Sequence, residues 1–193
     1  NFISYKTCMK TVETQFFTYD GLTLKSGVRF GPVTLAYETY GALNEKRDNA
    51  ILLFHALSGS QHAAGFNPSV PGVGERWNAE CQNGWWNDYL GPDKIVDTNR
   101  FFVVCVNYFG GCYGSTGPSS INPATGKPYG GSFPRIHFCD IVDSQLPLLK
   151  HLGIEKLHAV IGASLGGMLL ANLAARYPQI TDRVIAIACG IEP

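Results

Sequence analysis

Nowhere among the 193 residues do apolar side chains run for the roughly 18 positions that a bilayer-crossing helix requires. Neither sign of charge prevails, since 15 Lys and Arg stand against 15 Asp and Glu, interspersed along the chain. That balance excludes the electrostatic footprint of a nucleic-acid partner or an anionic membrane surface. The six cysteines (Cys8, Cys81, Cys105, Cys112, Cys139 and Cys189) include no C-x-x-C pair and no Cys/His spacing suited to a metal. An unpaired set of this kind fits a reducing cytosol better than a disulfide scaffold. Repeats and low-complexity tracts are missing. So is the charged-then-apolar order of a secretory signal, for the chain starts Asn1-Phe2-Ile3-Ser4-Tyr5-Lys6. It also starts without Met, and the expectation is a soluble, cytoplasmic protein with a trimmed N-terminus. The last absence concerns chemistry: all five histidines (His55, His62, His137, His151 and His158) fall in the first 158 residues.

With 45% hydrophobic content the chain is long enough to bury one core. Residues 15–19 and 33–39 read as two short strands separated by glycine, an antiparallel start. Residues 50–54 and 101–106 are compact apolar runs of the buried-strand type, rich in β-branched and aromatic residues, and 184–188 is another. Phe138, Ile141, Val142, Leu149 and Leu152 recur at helical spacing, and Gly153 follows as a C-terminal cap. Pro147 inside that pattern lacks a backbone donor and should kink the helix. Residues 157–161 form the next strand, 168–177 the next helix with Leu169, Leu170 and Leu173 on its apolar face, and Pro178 ends it. Apolar strands alternating with helices imply an α/β domain with a mostly parallel sheet and crossover helices. The segments 65–84 and 110–134 are long and rich in Gly, Pro, Ser and Asn, which is uncommon unless a loop is functional or disordered. Both leave the carboxyl ends of strands, where sites of parallel sheets form.

Gly162-Ala163-Ser164-Leu165-Gly166 lies between the strand at 157–161 and the helix at 168–177. A G-x-S-x-G pentapeptide in that setting is a nucleophile elbow, whose sharp reversal lifts the serine hydroxyl above the sheet. Ser164 is therefore the candidate nucleophile; the bland alternative is an ordinary glycine-rich turn. Acyl transfer also needs donors for the oxyanion. The N–H of Leu165, following the nucleophile, is one candidate. The N–H of Leu57, in His55-Ala56-Leu57-Ser58-Gly59 after the third strand, is the other, with Ala56 as its rival. His55 reads as a residue that orients this loop rather than as a base. Cys112, in a glycine-rich loop, is a weaker rival nucleophile without an elbow or a basic neighbour. In such folds the triad runs Ser, Asp or Glu, then His. Only Asp182 and Glu192 follow Ser164 as acids, and no histidine does. The expectation is that the catalytic Asp and His lie beyond residue 193.

The chain resembles the N-terminal half of the homoserine O-acyltransferases, the group of the α/β-hydrolase superfamily that includes homoserine O-acetyltransferase. The resemblance is carried between about Thr34 and Ala188. It rests on Leu35-Ala36-Tyr37-Glu38-Thr39-Tyr40-Gly41, on His55-Ala56-Leu57-Ser58-Gly59 and on Gly84-Trp85-Trp86. Most specific is the block from Gly110-Gly111-Cys112-Tyr113-Gly114-Ser115-Thr116-Gly117-Pro118 to Phe133-Pro134. Leu152-Gly153-Ile154-Glu155-Lys156-Leu157 and Gly166-Gly167-Met168 belong to the same pattern. Ala163 and Leu165 stand where the family usually has Gly and Met, Asp93 replaces a usual glycine, and 66–82 looks like an expanded loop. The resemblance implies an α/β-hydrolase fold cut off before its helical lid and last strands. It also implies acyl transfer from an acyl-CoA to homoserine through an acyl-Ser164, with acetyl as the first expectation and a succinyl donor or a serine acceptor as alternatives within the same family. Homoserine and acyl-CoA would be the small-molecule partners, with no metal and no bound cofactor, and the full-length enzyme would be a homodimer. A plain serine hydrolase is the alternative.

Overall fold

The computed structural model describes residues 10–190. Cys8, Glu192 and the start at Asn1 lie outside that range. Six strands form the main sheet: β1 (Gln15–Tyr19), β2 (Val33–Tyr40), β3 (Ala50–Phe54), β4 (Phe102–Val106), β5 (Ala159–Ala163) and β6 (Val184–Ile187). Their spatial order is β1-β2-β4-β3-β5-β6. The β1–β2 and β2–β4 pairs are antiparallel, with Gln15 opposite Tyr37 and Tyr37 opposite Val106. The β4–β3, β3–β5 and β5–β6 pairs are parallel. The expected antiparallel start and parallel remainder are both present.

Two helices cover one face of the sheet. Helix α1 (Phe138–His151) and helix α2 (Leu165–Arg176) set Val142, Leu148, Leu149, Leu169, Leu170 and Leu173 against Leu35, Leu52, Phe54, Val104 and Val160. The N–H of His137 donates to Asp140 at 2.7 Å, closing a capping box at the start of α1. At its end, Gly153 at φ +70° and Ile154 donate to the carbonyls of Lys150 and Leu149. That is a Schellman ending, for which the left-handed glycine is required. The helix continues through Pro147 to His151.

Among the described residues the opposite face carries no helix: residues 55–101, which include the long loop expected at 65–84, contain one 3₁₀ turn (Gly74–Arg76) and no α-helix. This segment covers Tyr40, Ile51, Leu53, Val103, Cys105 and Ile161 with Ala63, Ala64, Leu90, Val96 and the two tryptophans at 85 and 86. Its outer part is not loose, because Val70, Val73 and Trp77 form a small core of their own against Tyr113. Three boundaries also shift. The strand expected at 157–161 runs from Ala159 to Ala163, and the helix expected from Met168 starts at Leu165. Gly166 and Gly167, poor helix formers, hid that early start. The strand expected as buried at 184–188 ends at Ile187 and is exposed throughout. It borders β5 on one side and, among the described residues, nothing on the other.

Candidate active site

Ser164 stands between β5 and α2 with φ +52° and ψ −121°. A non-glycine residue at such angles carries about 1–3 kcal/mol of strain, so the surroundings must enforce the conformation. Its N–H donates to the Ile187 carbonyl at 3.0 Å, and its own carbonyl accepts from Gly167 at 2.9 Å. The glycines are explained by contact. A Cβ on Gly166 would collide with the Phe54 carbonyl oxygen and lie 2.7 Å from that of His55. A Cβ on Gly162 would meet the Gly166 carbonyl group, and one on Gly167 would lie 2.5 Å from the Cys189 sulfur. Strand, turn and helix approach so closely that only hydrogen fits. The Ser164 side chain is exposed and makes no capping hydrogen bond, which leaves its hydroxyl open to a ligand.

The close contact of Gly166 with Phe54 and His55 sets the first turn of α2 against the end of β3. Leu57 and Leu165 therefore belong to the same end of the sheet as Ser164. Leu165 opens α2, where the first N–H groups have no intrahelical acceptor and the helix dipole is positive. The 55–59 loop is a turn closed by Gly59 donating to the Ala56 carbonyl at 2.9 Å, with Leu57 at its tip, 79% exposed. Ala56 lies inside that turn and is half-buried.

No described histidine hydrogen-bonds to Ser164. The His55 ring lies flat against Tyr108 at 3.8 Å between centroids, and its Nδ1 faces the Ala56 carbonyl at 2.7 Å. Burial lowers its pKa to about 4, against a smaller upward effect of the Ala56 carbonyl, so the ring is neutral near pH 7. Tyr108 donates to the His55 carbonyl at 2.5 Å, so the loop-orienting reading matches what His55 touches. His62 bonds Glu38, His137 caps α1, His151 stacks on Phe17, and His158 packs on Phe101. Cys112 is exposed and, among the described residues, has no hydrogen-bonded partner. Asp182 pairs with Lys156 at 2.6 Å, both ends exposed, in a cavity at the opposite ends of the parallel strands. No group of three or more potential metal ligands occurs among the described residues.

The glycine-rich block at 110–134 is built into the sheet. Ser115 Oγ accepts from the Ala36 N–H at 3.0 Å and donates to the Asn107 carbonyl at 2.5 Å. Thr116 exchanges two bonds with Thr34, through its Oγ1 and its N–H, each 2.8 Å long. The block thus continues the pairing of β2 beyond the end of β4 and holds the rim beside the site. Two residues escaped the sequence reading, Tyr108 and Glu38. A glutamate in the apolar strand Val33–Tyr40 was the available signal, since carboxylates are almost never fully buried unless paired.

A strained serine between a parallel strand and a helix, over a mixed sheet of this order, defines a class, and sequence comparison agrees with it. The model of the alpha/beta hydrolase fold family matches residues 49–192, and the chain belongs to that family. Within it, the chain is 50% identical over 177 residues to a homoserine O-acetyltransferase of Carboxydothermus hydrogenoformans, covering 92% of this chain and 44% of that protein. The homoserine O-acetyltransferase of Deferribacter desulfuricans is 48% identical over 178 residues, with 45% of its length covered. Among solved structures, homoserine O-acetyltransferase from Bacillus anthracis superposes with a TM-score of 0.81 at 37% identity, over 94% of this chain and 48% of that one. Esterase E22 superposes at 0.80 with 39% identity, over 91% and 47%. The chain thus spans under half the length of these relatives. Among the described residues, no helix is long and apolar enough to cross a membrane.

Proposed function

We propose that this chain carries the nucleophile and oxyanion donors of a homoserine O-acetyltransferase, an enzyme of methionine biosynthesis in the cytoplasm. The observation that carries the reading is Ser164 at φ +52°, exposed at the elbow of a chain 50% identical to a homoserine O-acetyltransferase. The reaction is a double displacement. A histidine outside this chain, oriented by an Asp, takes the Ser164 proton as Oγ attacks the thioester carbonyl of acetyl-CoA. The tetrahedral oxyanion rests on the amides of Leu57 and Leu165. Collapse breaks the C–S bond, the thiolate takes the proton and leaves as CoA, and an acetyl-serine remains. The homoserine hydroxyl then attacks, gives up its proton to the same base, and departs as O-acetylhomoserine while Ser164 is restored. These steps balance with acetyl-CoA as substrate and call for neither metal nor bound cofactor. A lid is needed, because water would otherwise intercept the acyl-serine. In full length the enzyme is proposed to be a homodimer.

A second reading, ester hydrolysis, is favoured by the likeness to esterase E22. It shares every step except the acceptor. Release of free thiol from acetyl-CoA, followed with and without homoserine, separates the two. Strict dependence on homoserine supports the transferase, and equal release without it supports the hydrolase. Succinyl-CoA and serine, tested in the same assay, decide the donor and the acceptor.

A further inference from the structure

We propose that Glu38 and His62 form a buried anchor that positions the 55–59 loop for oxyanion binding, a role that rests on the acyl-transfer reading above. Glu38 lies in the middle of β2 and is wholly buried. Its Oε1 accepts from Thr14 at 2.7 Å and from Asn67 at 2.9 Å. Its Oε2 accepts from Tyr40 at 2.7 Å and faces His62 Nδ1 at 2.8 Å. Four partners fill the carboxylate's capacity. Burial alone would push its pKa up, but the bonds from His62, Tyr40 and Thr14 outweigh burial and hold it below the ordinary carboxylate value. The second ring nitrogen of His62 faces the Gln82 carbonyl at 3.1 Å.

Two of its partners, His62 and Tyr40, tie the carboxylate to the segment immediately after the candidate oxyanion loop. The Tyr40 hydroxyl that donates to Glu38 accepts the N–H groups of Ala63 at 2.7 Å and Ala64 at 3.2 Å. Ser60 accepts Trp85 Nε1 at its carbonyl and the His62 N–H at its hydroxyl, at 3.0 and 3.2 Å. The loop is therefore clamped at both ends, by Tyr108 on the His55 carbonyl and by the Glu38–His62–Tyr40 set on residues 60–64. Between the clamps it has one internal turn bond and an exposed tip. This is also the face of the sheet without a helix among the described residues, and there the bonds of Tyr40 and His62 add to backbone bonds such as that from the Trp86 N–H to the Ala63 carbonyl at 2.8 Å. For stability alone, a well-packed apolar residue often serves as well as a buried charged pair. A paired carboxylate at this place specifies geometry, and an error of about 1 Å in a reacting group can slow chemistry on the order of 100-fold.

The test uses the complete enzyme carrying Glu38→Gln, His62→Gln or both, with active sites counted by an irreversible serine reagent. The acylation rate per counted site is then measured with acetyl-CoA and with an activated acetate ester. We expect it to fall about 10- to 100-fold while KM for homoserine moves less than about threefold, with the double variant no worse than either single one. A rate per counted site equal to wild type, whatever the loss of counted sites or melting temperature, would overturn the proposal. Should these variants fail to fold, Tyr40→Phe removes only the hydroxyl held by Glu38, Ala63 and Ala64, and the same ratio decides. Ser164→Ala serves as the companion. If it retains turnover, the acyl-transfer reading itself fails; if it is dead while Glu38→Gln is normal per site, the anchor alone fails.

Discussion

At the scale of single residues, Ser164 and His55 make opposite demands on their surroundings. Ser164 holds a strained backbone so that its hydroxyl stays exposed. In the complete enzyme, Ser164→Ala should lower acyl transfer by about 10⁴-fold or more, since the members of a triad act as a unit. Folding should be unchanged, and labelled acetyl-CoA should leave label on the wild-type serine only. His55 is buried and neutral, and its Nε2 has no hydrogen-bond partner among the described residues. His55→Asn should retain an acylation burst, because the ring contacts the oxyanion loop and Tyr108, not Ser164. Severity equal to Ser164→Ala, with loss of the basic limb of the pH profile, would identify His55 as the base. Stability gives a second measurement. The folded pKa of about 4 lies below the unfolded value of 6.5, so the unfolded chain binds the extra proton between them. The contribution of His55 is thus whole above about pH 6.5 and declines as pH falls to about 4, by about 3 kcal/mol in all. Denaturant midpoints at pH 7 and 4.5 should differ more for wild type than for His55→Asn.

Among the elements, the elbow is fixed by exclusion rather than attraction. Gly166 cannot accept a methyl group without moving the Phe54 and His55 carbonyls, which are held in the β3 backbone and by Tyr108. We expect Gly166→Ala to destabilise by about 2–3 kcal/mol. Gly131→Ala, where nothing lies within 4 Å of an added Cβ, should stay within about 0.5 kcal/mol. Chemical denaturation of both variants checks the contrast, and equal midpoints would refute the packing account. Elements with a clear local signal were legible in the sequence. The apolar run at 50–54, the heptad-like spacing in α1 and Gly153 at its end all declared themselves. The covering of the other sheet face did not. Residues 55–101 pack through Trp77, Trp85, Trp86 and the Glu38 bonds, and such contacts between distant residues leave no period to read. The elbow was legible as a motif, whereas the partners of Glu38 required the fold that assembles them.

For the whole molecule, the proposed function implies a chain that carries the nucleophile while the proton acceptor is supplied from elsewhere. The five histidines are engaged elsewhere, and none reaches Ser164. The β6 edge exposes Val184, Ile185 and Ile187 by 51%, 49% and 41%, an open row of backbone donors and acceptors beside apolar side chains. Such an edge invites pairing with another strand. The 193-residue chain alone should therefore associate in a concentration-dependent way, and Ile185→Lys should raise its monomeric fraction in sedimentation. Its chemistry should be weaker still. Without a base the serine hydroxyl keeps its ordinary high pKa and is a poor nucleophile at neutral pH. The oxyanion donors by themselves leave on the order of 10³- to 10⁴-fold catalysis over water, far below a working triad. Thiol release from acetyl-CoA in the presence of homoserine, measured for this chain and for the complete enzyme at equal concentrations of counted serine, decides the matter. We expect the shorter chain to be slower by at least about 10⁴-fold. Comparable rates would mean that one of His55, His62, His137, His151 or His158 reaches Ser164 in solution, and the division of labour proposed for the site would fall with that result.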